Sequence, residues 1–175
     1  MKGYRIVAAI SITVGLRLLA GMGPVASAEG NEAFGFNAPL VSGFPGRSAE
    51  ITGGGAYSLP DFVHSGGHFR CTSDISAGPF SGCLAGQGVR WDPSALLSST
   101  TFKCTGAAGE PLKAAETGDK TVVIFADFYR QGDGNDESFT AQMIVSETDL
   151  DPVAPGVQNV WVQGVGCGTA ITNFN

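Results

Sequence analysis

The stretch Thr121-Val-Val-Ile-Phe-Ala-Asp-Phe-Tyr129, followed across a turn-forming segment by Ser138-Phe-Thr-Ala-Gln-Met-Ile-Val-Ser146, decides the fold class of this chain. Both segments are rich in β-branched and aromatic residues, which is typical of strands. One antiparallel register matches apolar residues with apolar residues: Val122 with Val145, Ile124 with Met143, Ala126 with Ala141 and Phe128 with Phe139. The sequence therefore predicts a hairpin with one face in the core.

The other face of this hairpin is the best candidate binding surface. Phe125, Asp127 and Tyr129 alternate with the apolar positions, so they are expected on the side away from the core. An exposed aromatic ring beside a carboxylate suits contacts with a sugar or a peptide. The alternative is that a second sheet or the N-terminal segment covers these residues.

The connection between the two strands contains closely spaced oxygen donors. Asp133, Asn135 and Asp136 form a weak candidate calcium site, although the EF-hand's spaced glycine and distant bidentate glutamate are missing. An acidic hairpin loop that binds no ion is the alternative. We therefore expect neither a metal nor a cofactor.

A further hairpin is predicted between Val63–Cys71 and Cys83–Trp91, with its turn centred on Ala77. In this register Val63 faces Trp91 and Cys71 faces Cys83, so the apolar side chains share one side. The opposite side carries the cationic and imidazole side chains: His64, His68, Arg70 and Arg90.

The remaining segments complete an all-β expectation. Strands are predicted at Gly53–Leu59, Ser99–Thr105, Leu112–Glu116 and Asn159–Asn175, the last one broken at Gly166-Cys167-Gly168. The one helix signal is Asp92-Pro93-Ser-Ala-Leu-Leu97, because Asp favours the N-cap and Pro the first helical position. The expected fold is a single antiparallel β-barrel or β-sandwich of about seven to eight strands with one short helix, stapled by disulfides.

The N-terminus has the pattern of an export signal. A basic start, an apolar run over residues 6–16 and the ending Val25-Ala-Ser-Ala28 are typical of a cleaved signal peptide over residues 1–28, and an uncleaved anchor is the alternative. Residues 29–50 show no sustained period and are expected to form an irregular N-terminal arm, and residues 51–175 the β-domain. Export predicts a secreted, extracellular or cell-envelope protein, with no membrane span after cleavage of the signal.

Composition limits the possible functions. The chain has 175 residues and a net charge of −6, and its 43% hydrophobic content excludes a disordered chain. The leader carries three basic residues and no acidic one, so 7 basic and 16 acidic residues remain after cleavage, a net charge of −9. Nucleic-acid binders concentrate positive charge, so no nucleic-acid partner is expected.

The four cysteines are expected to form two disulfides, because an exported chain meets an oxidising compartment. The hairpin register brings Cys71 to Cys83, which leaves Cys104 to pair with Cys167. A nucleophilic cysteine is the alternative, but it needs a neighbouring histidine, and both histidines belong to the predicted hairpin of Val63–Cys71 and Cys83–Trp91.

The segment His64-Ser-Gly-Gly-His68 could suggest a metal site, but on a strand the two histidines lie roughly 13 Å apart. That separation is too long for one ion, so solvent-facing histidines are expected. No Gly-x-Ser-x-Gly motif accompanies them, and no catalytic residue is assigned.

Several segments resemble small exported bacterial proteins of unassigned function that carry two disulfides. The resemblance rests on Phe69–Asp74, Gly88–Asp92, Phe102–Gly106, Asp133–Phe139 and Val165–Gly168. It implies secretion and disulfide bonds, and it implies no activity.

The leading hypothesis is an exported, non-catalytic β-domain that binds a small ligand, a glycan or a protein, or that serves as a cell-envelope component. Phe125, Asp127 and Tyr129 would line its surface. The alternatives are a small secreted hydrolase that uses His64 or His68, and a calcium-stabilised module. Alanine substitution of both histidines would abolish turnover only in the hydrolase.

Overall fold

The computed structural model describes residues 31–130 and 137–175 and contains ten strands. The strands are β1 (Glu32–Ser42), β2 (Ser48–Ser58), β3 (Phe62–Cys71), β4 (Arg90–Leu97), β5 (Ser99–Phe102), β6 (Lys113–Glu116), β7 (Thr121–Tyr129), β8 (Glu137–Ser146), β9 (Val160–Val162) and β10 (Gly166–Phe174). Eight of them close into an antiparallel barrel in the order β1-β10-β9-β8-β7-β4-β3-β2, and β5 and β6 form a separate two-stranded sheet. A barrel, and not a sandwich, is therefore the architecture.

The β7–β8 hairpin has the predicted register. Val122 pairs with Val145, Ile124 with Met143, Ala126 with Ala141 and Phe128 with Phe139. All of these side chains are buried. The alternation of apolar residues specified this register because a slip by one residue would move every apolar side chain to the outer face.

Aromatic side chains fill the barrel, and two glycines make room for the largest of them. Trp91 is fully buried, and its indole N–H donates to the carbonyl of Thr52 at 2.9 Å. A Cβ on Gly53 would lie 2.5 Å from the indole ring, and a Cβ on Gly67 would lie 2.7 Å from its nitrogen. The glycines of β2 and β3 therefore let the indole lie against the backbone.

Residues 32–42 correct the expectation of an irregular arm over residues 29–50. They form β1, which pairs with both β2 and β10 and closes the barrel. Phe34, Phe36 and Ala38 alternate inward and are buried. A bulge follows Ala38 in this strand, and it hides the period of two that identifies a strand in the sequence.

The predicted short helix at residues 92–97 is wrong, and within residues 31–130 and 137–175 no helix is found. This segment is part of β4, which pairs with β7 along most of its length. Asp-Pro is a local helix-start preference, and six residues are too few to form a helix without further support. Pairing with β7 overrides that preference.

The hairpin predicted from Val63–Cys71 and Cys83–Trp91 is wrong in its second strand and in its register. Of Cys83–Trp91, only Arg90 and Trp91 belong to β4, and residues 83–89 lie in the connection after β3, where Ala85 is exposed. β3 meets β4 at Gly67 opposite Trp91, four residues away from the predicted pairing of Val63 with Trp91. A shift by an even number keeps every side chain on its face, so Phe69, Cys71 and Trp91 still point inward and are buried. Cys83 lies in the connection, where it makes an isolated bridge with Ile75.

Both predicted disulfides are present, Cys71–Cys83 and Cys104–Cys167. The first closes the connection that follows β3. The second joins the segment after β5 to β10. The break in the C-terminal strand falls at residues 163–165, just before the predicted Gly166–Gly168.

Candidate functional site

The predicted surface residues lie on the outer face of β7. Phe125, Asp127 and Tyr129 are each partly exposed, whereas the intervening Ala126 and Phe128 are fully buried. The three residues therefore share one accessible face, as the alternation predicts.

The neighbouring strand β4 adds a cation and a second acid to this face. Arg90 pairs with Tyr129 in the register, and Asp92 pairs with Asp127. The Arg90 guanidinium lies 4.1 Å from the centre of the Tyr129 ring, and it also forms an ion pair with Asp92. These contacts hold the tyrosine ring and one carboxylate in defined positions.

A bulge in β4 brings a hydroxyl to the site. Pro93 pairs with Ala126 and Ala95 pairs with Phe125, so Ser94 is the extra residue between them. Its Oγ lies 3.1 Å from the carbonyl oxygen of Phe125 and 3.3 Å from Oδ1 of Asp127. The single hydroxyl proton can bond with either oxygen.

The β5–β6 hairpin covers one end of this outer face and stops beside the site. Val123, Ile144 and Trp161 are buried under it, together with Phe102 and Ala115. At the edge of the hairpin, the Thr100 hydroxyl donates a hydrogen bond to Oε1 of Gln142. Gln142 is the residue of β8 that pairs with Phe125. The second sheet thus covers the Val123 end and leaves Phe125, Asp127 and Tyr129 accessible. We call these three residues with Arg90, Asp92 and Ser94 the β4–β7 face.

The histidines lie on β3 and point outward, as predicted. His64 is exposed. His68 Nδ1 is 2.7 Å from the carbonyl oxygen of Val89, and because a carbonyl can only accept, this nitrogen carries a proton. Nε2 of the same ring lies 3.5 Å from Glu50. The His68 ring is therefore oriented by a backbone oxygen and a carboxylate.

The candidate calcium residues Asp133, Asn135 and Asp136 lie outside the described residues. Among the residues that are described, one group has metal-ligand proximity: Cys104, Glu110 and Asp151. Cys104 belongs to a disulfide, and the ammonium of Lys113 lies 2.7 Å from Glu110 and 3.0 Å from Asp151. A lysine therefore already supplies the positive charge between the two carboxylates.

This buried cluster anchors the segment between β5 and β6. The Glu110 carboxylate accepts hydrogen bonds from the amides of Cys104, Thr105 and Gly106 and from the Thr105 hydroxyl. Burial alone would raise the pKa of Glu110, but the hydrogen bonds from Lys113, Thr105 and the amides outweigh it and lower the pKa to about 2. The hydrogen-bonded carboxylate is therefore ionised in the folded protein under all but strongly acidic conditions.

Glu110→Gln is expected to lower the free energy of unfolding by about 2 kcal/mol near neutral pH, because charge-assisted hydrogen bonds are lost. A folded pKa of about 2 against an ordinary 4.5 means that this stabilisation is complete above pH 4.5 and is lost as the pH falls towards 2. Urea denaturation at a series of pH values measures the difference. The exposed Glu116→Gln is the control, and a difference from wild type that did not shrink in acid would contradict this role.

The sequence did not reveal the β4 half of the site. Arg90, Asp92 and Ser94 follow one another at every second position, which would have indicated an outward strand face. The Asp92-Pro93 pair is a local signal for the start of a helix, and it competes with this alternation in the sequence.

Two further observations bear on the setting of the protein. No helix in the described part of the chain is long and apolar enough to cross a membrane. The two disulfides are compatible with an extracellular location.

Comparison of the chain with protein-family models, with curated proteins and with solved structures finds no match. The β4–β7 face must therefore be interpreted from its own chemistry.

Proposed function

We propose that this protein is an exported, non-catalytic binding module that holds an uncharged oligosaccharide on the β4–β7 face. The observation that carries the proposal is the row of partly exposed Phe125, Asp127 and Tyr129, which the β5–β6 hairpin leaves open. Export is inferred from the signal-peptide pattern of residues 1–28.

The side chains of this face match the chemistry of a sugar. The rings of Phe125 and Tyr129 offer apolar surfaces for the C–H faces of pyranose rings. The carboxylate of Asp127 between them accepts hydrogen bonds from hydroxyl groups. Four residues along a strand span about 13 Å, which is long enough for more than one sugar unit.

The charge of the face argues for an uncharged ligand. Asp92 and Asp127 contribute two negative charges and Arg90 one positive charge, on a chain whose net charge is −6, and −9 once residues 1–28 are removed. A polyanionic glycan or a nucleic acid would be repelled. A neutral glycan avoids that repulsion and still uses the carboxylates as acceptors.

The contacts within the face support pre-organisation. Arg90 lies over the Tyr129 ring and pairs with Asp92, and Ser94 is within hydrogen-bond distance of Asp127. Side chains that are already held lose less conformational freedom when a ligand binds.

Titration calorimetry with a panel of neutral oligosaccharides tests the proposal. We expect one class to bind, and Asp127→Ala and Tyr129→Ala each to weaken it at least about tenfold. Asp127→Ala removes a charge-assisted hydrogen bond worth about 1.5–3 kcal/mol, and Tyr129→Ala removes an apolar ring surface whose burial is worth a similar amount.

The chain offers a matched control at the β2–β3 connection. Asp61, in that connection, and Phe62, the first residue of β3, are an exposed acid and an exposed aromatic residue that are not part of the β4–β7 face. Asp61→Ala and Phe62→Ala should bind like wild type. The proposal fails if no neutral glycan binds, or if the control variants lose as much affinity as the variants of the face.

A further inference from the structure

The outer face of β3 adjoins the β4–β7 face. Gly67 of β3 pairs with Trp91 of β4, and the Trp91 side chain points into the barrel. In an antiparallel pair, the residue before Gly67 and the residue after Trp91 are then neighbours on the outer side. These residues are Gly66 and Asp92. A Cβ atom on Gly66 would lie 3.5 Å from Oδ1 of Asp92, which confirms that the two positions meet.

One row of residues therefore crosses three strands on the outside of the barrel. Asp127 of β7 pairs with Asp92 of β4, and Asp92 adjoins Gly66 of β3. We call Asp127, Asp92 and Gly66 the central row. Neighbouring strands lie about 4.8 Å apart, so the central row extends about 10 Å from β7 to β3.

Longer side chains border the central row on both sides. The next outward residues of the three strands are all partly or fully exposed: Tyr129, Arg90 and His68 on one side, and Phe125, Ser94 and His64 on the other. Glycine has no side chain and aspartate has a short one. The central row is therefore the floor of a shallow channel that runs across the strands.

The channel continues towards β3 and ends at β8. Thr140 of β8 pairs with Asp127, but the next strand of the barrel, β9, pairs only with residues 143–145 of β8. In the described ranges 31–130 and 137–175, no strand extends the row beyond Thr140. A ligand that is longer than the β4–β7 face therefore finds further strand surface in the direction of β3.

The β3 end of the channel offers contacts that a sugar can use. Oδ2 of Asp92 pairs with Arg90, whereas Oδ1 lies beside Gly66. Because Gly66 has no side chain, a sugar hydroxyl can approach this oxygen and donate to it. The exposed imidazole of His64 adds a further hydrogen-bonding group at the border. Neither residue of β3 adds a negative charge to the face.

We propose that a linear, uncharged oligosaccharide lies across the strands along the central row, and that Gly66 and His64 form a further subsite for it on β3. This inference rests on the proposed function and specifies its ligand as a chain of several sugar units. Gly66 is a specificity-determining residue, because any side chain at this position would fill the space beside Oδ1 of Asp92.

Titration calorimetry with cello-, malto-, xylo- and manno-oligosaccharides, from disaccharide to hexasaccharide, tests the subsite. In the series that binds, we expect the affinity of the wild-type protein to rise at least about tenfold with length. Gly66→Ala and His64→Ala should each weaken the hexasaccharide at least about tenfold and the disaccharide much less. One hydrogen bond to a charged group is worth at least a factor of about ten in affinity.

Gly35→Ala is the matched control. Gly35 is a partly exposed glycine on the outside of β1, and a methyl group there meets only the carbonyl oxygen of Gly53, at 4.0 Å. This variant should bind every oligosaccharide like wild type. The methyl group of Gly66→Ala would lie 3.3 Å from the carbonyl oxygen of Trp91, so thermal unfolding of this variant is measured as well. His64 is exposed, so His64→Ala tests the subsite without this contact.

The possible results separate the subsite from the proposed function. If the wild-type protein binds disaccharide and hexasaccharide equally well, the ligand does not reach β3, and the subsite is wrong while the proposed function stands. The subsite is also wrong if His64→Ala and a stably folded Gly66→Ala bind the hexasaccharide like wild type, or if they weaken both lengths equally. If no neutral oligosaccharide binds, the proposed function itself fails, and the subsite fails with it.

Discussion

Gly67→Ala is expected to lower the free energy of unfolding by about 3 kcal/mol or more. The added methyl group would lie 1.9 Å from the carbonyl oxygen of Thr52, 2.6 Å from the Cα atom of Gly53 and 2.7 Å from the Trp91 indole nitrogen. Two of these three atoms belong to the backbone of β2, so a side-chain rotation cannot relieve the clash. Overpacking of this kind costs about 1–3 kcal/mol, and more where backbone must move.

Urea denaturation followed by tryptophan fluorescence measures this loss, because Trp91 and Trp161 are both buried. Gly109→Ala is the control, since a methyl group there meets nothing within 4 Å. We expect that variant to stay within about 0.5 kcal/mol of wild type, as surface substitutions usually do. A similarly small effect for Gly67→Ala would show that β2 and β3 do not pack against the indole as described.

The same substitution connects the core to the β4–β7 face. Trp91 lies between Arg90 and Asp92 on β4, and these neighbours point outward to the candidate site. A displaced indole would move the strand that holds both side chains. Residual glycan binding by Gly67→Ala should therefore fall even under conditions where the variant stays folded.

The β7–β8 hairpin could be derived from the sequence because its two strands are regular and close together. Apolar residues occupy alternate positions in both, and only one register matches them. The connection of eight residues between Tyr129 and Ser138 leaves few other ways to pair the strands. The same alternation predicts the outward position of Phe125, Asp127 and Tyr129, which the structure shows, and their role in binding stays a prediction.

The hairpin predicted from Val63–Cys71 and Cys83–Trp91 shows where this reasoning fails. Its long connection has no strand of its own, so the turn could not be located, and the predicted register is wrong by four residues. The pairing of Cys71 with Cys83 is nevertheless right, because the disulfide closes a compact loop after β3 and does not depend on the ladder.

The β4 half of the site depends on contacts between distant parts of the chain. β4 pairs with β7, more than 20 residues further along, with the β5–β6 hairpin between them in sequence. A local pattern such as Asp92-Pro93 predicts local structure, and nothing in it identifies a partner strand. The bulges at Ser94 and after Ala38 likewise depend on how each strand pairs with its neighbours, which a local sequence pattern does not show.

Removal of the Cys104–Cys167 disulfide is expected to have the largest effect on stability. It spans 63 residues, and the chain-entropy model gives a bridge of this length about 4 kcal/mol at 25 °C. The Cys71–Cys83 bridge spans 12 residues, for which the same model gives about 3 kcal/mol. The two paired alanine variants should therefore differ, with the 104–167 pair less stable.

Removal of the Cys104–Cys167 disulfide should also let the β5–β6 hairpin open locally. The disulfide and Glu110 both hold the segment after β5, and the amide of Cys104 donates to Glu110 at 2.5 Å. Without the bridge, the carboxylate cluster, the apolar contacts of Phe102 and Ala115, and hydrogen bonds such as Thr100 to Gln142 still hold the β5–β6 hairpin on the barrel, but no covalent link remains. Amide hydrogen exchange in β5 and β6 should accelerate more than exchange in β7.

Urea denaturation of the two paired variants, with hydrogen exchange on the same samples, separates the possibilities. A greater loss of unfolding free energy in the variant without Cys71–Cys83 would mean that loop length does not determine how much each disulfide stabilises the fold. Uniform acceleration of exchange over the barrel and the hairpin would mean that Cys104–Cys167 supports the whole fold and not the β5–β6 cover. Selective acceleration of exchange in the β5–β6 hairpin, with β7 still protected, would show that the Cys104–Cys167 disulfide holds this hairpin against the barrel. The hairpin meets the β4–β7 face where Thr100 of β5 bonds to Gln142.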